Sequence, residues 1–443
     1  MNKSMTEGSV RRAVLRFSLP YLLSCLLQSL YGMADLFVMG LYADTAGTTA
    51  VSVGSQVMHV ITVLIMGLAM GTTVTTARAK GAADGERESS AVGNSVTLFG
   101  GVSLGITVLL LCLVRPVAAL MSTPAAAMPA CTAYLTICFA GIPVITAYNI
   151  VSAVYRAAGD PLTPLLFVGT ACVLNVGLDF LLTGVLGLGA AGVALGTVLA
   201  QALSAALALV HTRRSGFIRL ERKDLCPDRT VMKEILRIGT PVMIQDGLIQ
   251  VTFIVLTVIA NRRGLDDAAA VGIVEKMIGL FFMVPSAMLS TVSALCSMCI
   301  GAGKEKRAGE TLRFCIFIAL AWGLGISVLM QFAADRFVGL FSASPSVVRL
   351  GGTYLRGYIW DCAAAGVHFS FSGYFCALGR SELSFVHNLL SMLCVRIPGA
   401  YFGSLFFPDT LYPMGMASTC GSLLSVVICG FFLGRLSARR SSV

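Results

Sequence analysis

Long apolar runs separated by short polar clusters dominate this chain. Taking about 20 apolar residues as the length that crosses a hydrocarbon core, the pattern predicts helices near 14–40, 50–77, 91–114, 130–157, 162–184 and 190–212. A second set follows near 236–260, 268–299, 310–333, 350–377, 383–405 and 412–434. Between the sets lies TRRSGFIRLERKDLCPDRTVMKE, the longest polar stretch. The expected organisation is an N-terminal six-helix lobe over 1–212, a cytoplasmic linker over 213–235 and a C-terminal six-helix lobe over 236–443. The first apolar run is too long for a signal-peptide core and has no convincing cleavage site, so it is expected to remain as a helix.

The two sets repeat one another. VLRFSLP at 14–20 returns as ILRIGTP at 235–241, and GAADGER at 81–87 returns as GAGKEKR at 301–307. Tyr134-Leu135 returns as Tyr354-Leu355, and RAAGDP at 156–161 as CALGRS at 376–381. Six helices separate the copies, so they share one orientation. That arrangement implies two lobes related by a pseudo-twofold axis along the membrane normal.

Composition agrees with a lipid environment. Of 443 residues 56% are hydrophobic and 12% charged, about half the charged fraction of a soluble domain. The net charge of +10 does not point to nucleic acid, because the basic residues stand in short runs between apolar stretches. They read as topology instead. With both termini cytoplasmic, only Arg115, Arg262, Arg263, Arg336, Arg349 and Arg356 fall outside, while Arg11, Arg12, Arg78, Lys80, Arg87, Arg213, Arg214, Lys304, Lys306 and Arg307 fall inside. Fourteen cysteines lie mostly within apolar runs, and the single CxxC, Cys296 to Cys299, has no second pair or histidine near it in sequence. Neither a disulfide framework nor a metal site is expected.

Five acids fall inside predicted spans: Asp35, Asp179, Asp246, Glu275 and Asp361. An ionisable group at that depth costs about 2.5–3.5 kcal/mol on insertion scales, which marks these residues as candidates for function. Asn175 and Asp179 are four apart, on one helix face, and together can hold a proton or small cation. Glu275 and Lys276 are adjacent and so do not face each other; Glu275 is a candidate cleft residue or a partner for another helix. His59, His368 and His387 read first as packing residues, and Gly67 and Gly71 as a close helix contact.

In the order and spacing of LRFSLP, YRAAGDP after the fourth span, GLGAAGVALGT into the sixth and VRIPGAYF in the eleventh, the chain resembles the multidrug and toxic compound extrusion transporters of prokaryotic type. The resemblance covers nearly the whole chain. It implies that the Asn175–Asp179 pair faces Asp35 of the first helix across the first lobe, that Thr197 joins them, and that Pro20 bends the first helix. The second lobe departs from the family in part. Some relatives carry an acid in the seventh helix where Gln250 stands and another in the tenth, and Asp246 and Asp361 lie about one turn from those positions as candidate substrate or ion contacts.

The resulting expectation is an all-α integral membrane protein of the inner membrane, not an enzyme. It would be a monomer exporting small amphipathic, often cationic, molecules against H⁺ or Na⁺. Two carboxylates in one poorly hydrated pocket disfavour each other's ionised form, so the pair of Asp35 and Asp179 would take up the ion. No cofactor is expected, and no metal beyond Na⁺ at Asp35, Asn175, Asp179 and Thr197. A lipid-linked saccharide flippase, the alternative, calls for several Arg or Lys in the cleft, whereas the spans hold few beyond Lys276 and Arg396. A membrane-embedded enzyme would need a paired acidic metal motif, and the one Asp-Asp, Asp266-Asp267, has no third acid nearby.

Overall fold

The computed structural model describes residues 5–42, 44–216 and 220–441; positions 217–219 of the expected linker lie outside them. Among the described residues every regular element is a helix, as a chain crossing lipid requires when its backbone groups must find partners within one segment. In the first half, beside the short helices Val114–Leu120 and Arg222–Leu225, these are α1 (Val10–Tyr42), α2 (Thr45–Gly81), α3 (Gly85–Cys112), α4 (Met128–Ala140 and Ile142–Ala157), α5 (Leu162–Val185) and α6 (Gly189–Ser215). In the second they are α7 (Arg229–Asn261), α8 (Leu265–Gly301), α9 (Glu305–Gly339), α10 (Pro345–Tyr358 and Asp361–Ala377), α11 (Ser381–Phe406) and α12 (Tyr412–Ser441).

Ten of these helices are long and apolar enough to cross a membrane, and α4, bent by 48° at Gly141, makes an eleventh. The twelfth, α10, falls short of that apolarity because it has little need of it. Most of Asp361–Ala377 is buried inside the protein, where Asp361, His368, Ser370 and Ser372 meet protein instead of lipid. Outward faces elsewhere are apolar, with Phe37 63% and Phe332 83% exposed.

The repeated motifs have a local cause. RAAGDP and CALGRS end α4 and α10, and Gly159 and Gly379 take the left-handed φ of +82° and +71° that closes a helix. The loops after α2 and α8 match in the same way, with Gly303 at φ +70° and Ala83 at +57° in the corresponding turn.

Two compact units form, one of Leu19–Gly239 and one of Met1–Ser18 with Thr240–Val443. The divisions therefore fall inside α1 and α7, just before Pro20 and Pro241, and not in the expected linker. That linker is also shorter than 213–235, since α6 runs to Ser215 and α7 begins at Arg229. Its second part is fixed to α3 of the first unit. Asp228 N donates to Asn94 Oδ1 (2.7 Å), Thr97 Oγ1 donates to Leu225 O (2.8 Å), and a Cβ on Gly93 would stand 2.2 Å from Asp224 O. In the second unit Arg307 plays a similar part for the N-terminal tail, donating to the carbonyls of Met5, Glu7 and Gly8. Gly71 serves packing, as expected: a Cβ there would lie 2.1 Å from Ile235 O.

Candidate functional site

Asp35 on α1, Asn175 and Asp179 on α5, and Thr197 on α6 come together inside the first unit. All four are buried, with Asn175 and Asp179 fully so. Thr197 Oγ1 donates to Asp35 Oδ2 (3.4 Å), and Asn175 Nδ2 donates to Thr197 Oγ1 (3.5 Å). Asp35 and Asp179 act on each other electrostatically, and no lysine or arginine among the described residues offsets either. Asp35 Oδ1, Asn175 Oδ1 and both carboxylate oxygens of Asp179 are buried and, although these three side chains lie within reach of one another, none has a partner of full hydrogen-bond geometry among the described residues. Four buried acceptor oxygens with so few donors form a site complementary to a proton or small cation.

Local backbone structure aims these groups. The α-helical part of α5 ends at Asp179, and Phe180–Val185 continues as a π-turn in which Leu186 N donates to Leu181 O. Such a turn shifts the register of everything after Asp179 and recurs at functional positions in other helices. On α6, Gly196 leaves the recess that the carboxylate occupies, since a Cβ there would stand 2.3 Å from Asp179 Oδ1. Sequence reasoning missed Gly196, although GVALGT places it directly before Thr197. Gly196→Ala is expected to destabilise the protein by about 1–3 kcal/mol, the usual range for overpacking. A thermal melt in detergent reads that loss. Because the clash is with Asp179, Asp179→Ala should restore much of it, and additive losses in the double variant would show that the recess does not matter.

Asp35 and Thr197 also form part of the wall of a cavity of about 240 Å³ in this unit. Tyr31, His59, Tyr134, Asn149 and Gln201 complete its polar and aromatic lining, with Gln201 Nε2 donating to Tyr31 Oη (3.5 Å). Among the described residues no lysine or arginine lines it. Pro20 lies within α1 as expected, and its carbonyl accepts from Ser24 Oγ (3.0 Å).

The candidates in the second unit do not assemble into a comparable site. Asp246 and Gln250 stand one turn apart on α7, half-buried, and their side chains form no hydrogen bond with each other. Glu275 accepts from Thr257 Oγ1 (3.2 Å), while Lys276 is exposed, so the neighbours do not pair. Asp361 is fully buried, but as an ion pair with Arg396 of α11 (3.0 Å). His368 and His387 are satisfied on one side by Ser422 (3.1 Å) and Ser372 (2.9 Å).

Comparison with known proteins finds the twofold repeat of the sequence as well. The sequence pattern of the MatE family matches residues 20–181 and again 241–402, the two halves of the repeat. The probable multidrug resistance protein YpnP of Bacillus subtilis (strain 168) is 28% identical over 401 residues, which cover 90% of this chain and 89% of that protein. The multidrug export protein MepA of Staphylococcus aureus (strain NCTC 8325 / PS 47) is 23% identical over 444 residues, 99% of this chain and 97% of its own. A crystal structure of MATE in the bent conformation shares the fold with a TM-score of 0.91 at 22% identity, covering 99% of this chain and 98% of that one.

Proposed function

The chain belongs to the MatE family and is a multi-pass membrane transporter, and on that premise we propose that it exports amphipathic, often cationic, compounds in exchange for H⁺ or Na⁺. The observation that carries the reading is the set of unpartnered acceptor oxygens on Asp35, Asn175 and Asp179, bordered by the cavity that Asp35 itself lines. Cation and substrate then compete for, or favour different states of, the same lobe, and the difference in their affinities for the two states is the coupling. Pro20, which lacks a backbone N–H for the helix ladder, supplies the point at which α1 bends between those states.

The YpnP and MepA names support the drug class, and the cavity chemistry agrees. One carboxylate among tyrosines and amides suits a flat, positively charged molecule. A saccharide–pyrophosphate flippase would need basic side chains in that wall, and the wall has none among the described residues. The test is counterflow of a cationic dye in proteoliposomes, driven in turn by a pH gradient and by a Na⁺ gradient. The gradient that drives uptake identifies the ion, and no response to either would remove the antiport reading.

The proposed placement is the inner membrane with both termini cytoplasmic. In a background lacking the native cysteines, Lys223→Cys and Lys304→Cys should label only from the cytoplasmic side and Asp266→Cys only from outside. Labelling of Lys223→Cys and Asp266→Cys from one side would overturn the topology.

A further inference from the structure

The second unit holds a buried charge arrangement that the transport reading leaves unused. Asp361 opens the second segment of α10, directly after the break at Ile359–Trp360, and is fully buried. Arg396 Nη2 donates to Asp361 Oδ1 (3.1 Å), to Oδ2 (3.0 Å) and to Ser422 Oγ of α12 (2.6 Å). Ser422 Oγ, which accepts from the guanidinium, also pairs with His368 Nε2 at 3.1 Å, so the arginine, the serine and the histidine form one buried chain. The backbone is shaped for the arginine as well: a Cβ on Gly421 would lie 2.4 Å from Arg396 Cγ.

The repeat shows what Arg396 replaces. The two family-matched stretches lie 221 residues apart, which sets Arg396 opposite Asn175. The interval between the fourth-span motifs is one residue shorter and sets it opposite Val176, the next position. In both units the fifth and sixth spans thus meet a buried carboxylate. In the first, the polar group beside the carboxylates is a neutral amide, and acceptor oxygens remain unpartnered. In the second it is a guanidinium, and both oxygens of the carboxylate are taken.

We infer that Arg396 is a built-in counter-cation that closes Asp361 to the coupling ion. The carboxylate keeps its negative charge through the cycle, and the arginine stands where an exchangeable H⁺ or Na⁺ would otherwise be needed. This inference rests on the reading of the Asp35–Asp179 site as the ion site. It identifies Arg396 as the residue that removes Asp361 from the ion count.

The test counts exchangeable cations on the full-length protein in detergent, protons by difference titration and sodium by equilibrium binding of radioactive Na⁺. Wild type and the neutral double variant Asp361→Asn/Arg396→Gln should bind the same number. Arg396→Gln alone should bind one more, because Asp361 then has no fixed partner. The inference is overturned if wild type binds one more than the double variant, or if Arg396→Gln binds no more than it. Should Arg396→Gln fail to fold, the comparison of wild type with the double variant decides alone. The double variant should also keep gradient-driven dye export, and a folded, dye-binding form without it would place the pair in the coupling path. Failure of the first-lobe reading looks different: Asp35→Asn/Asp179→Asn would keep the wild-type cation count, whatever happens at Arg396.

Discussion

Asp35→Asn and Asp179→Asn should each abolish the build-up of a dye gradient against an imposed ion gradient, while expression and dye binding persist. Asparagine keeps the shape of the side chain and one acceptor oxygen, but removes the charge that makes the buried oxygens attractive to a cation. Site-to-site coupling is commonly worth about 1–3 kcal/mol, or roughly 5- to 150-fold in affinity. Losing it should flatten the ion dependence of dye binding by that order. Thr197→Val should do less, since its hydroxyl bridges Asn175 and Asp35 at 3.5 and 3.4 Å without carrying charge. Flux measurements in proteoliposomes check this, and wild-type accumulation by both aspartate variants would falsify the coupling role.

Much of the fold was legible because lipid imposes a simple rule: a span must be long and apolar, and the repeat fixes where the second copy of each begins. The rule weakened where a span does not face lipid. α10 was readable as a helix near 350–377 but not as two segments broken at Ile359–Trp360, because a buried helix can carry Asp361 and His368 and obeys packing instead of hydropathy. The split of α1 and α7 between compact units was also hidden. Pro20 and Pro241 marked the places, but which side each helix start packs on depends on contacts remote in sequence.

The first-unit site was legible in part for a similar reason. The four-residue spacing of Asn175 and Asp179 is a property of one helix and can be read directly. That Asp35 and Thr197 meet them came from the resemblance, and Gly196 went unread because a recess exists only once α5 and α6 are packed. Arg396 appeared in the sequence as one of the few basic residues within a span. Its partner is 35 positions away, and nothing local distinguishes an arginine that lines a cleft from one that neutralises a buried acid.

That distinction predicts opposite signs for the loss of charge at two buried aspartates. Asp361→Ala would leave Arg396, a side chain only 15% exposed, without its carboxylate. Breaking a buried pair by removing one partner costs about 3–5 kcal/mol, because the remaining charge is stranded away from water. The variant should therefore unfold well below wild type in a detergent melt or express poorly. Asp361→Asn/Arg396→Gln, which strands no charge, should recover most of that loss. Asp179 has no cationic partner among the described residues; its neighbours are the carboxyl of Asp35 and the amide of Asn175, and neither of its oxygens has a partner of full hydrogen-bond geometry among the described residues. Asp179→Asn thus removes a cost of burial, and its midpoint should equal or exceed that of wild type even as ion-driven export disappears. If Asp179→Asn proved as destabilising as Asp361→Ala, Asp179 would be holding helices together, and a buried acid kept at a cost to stability would no longer explain its place in α5.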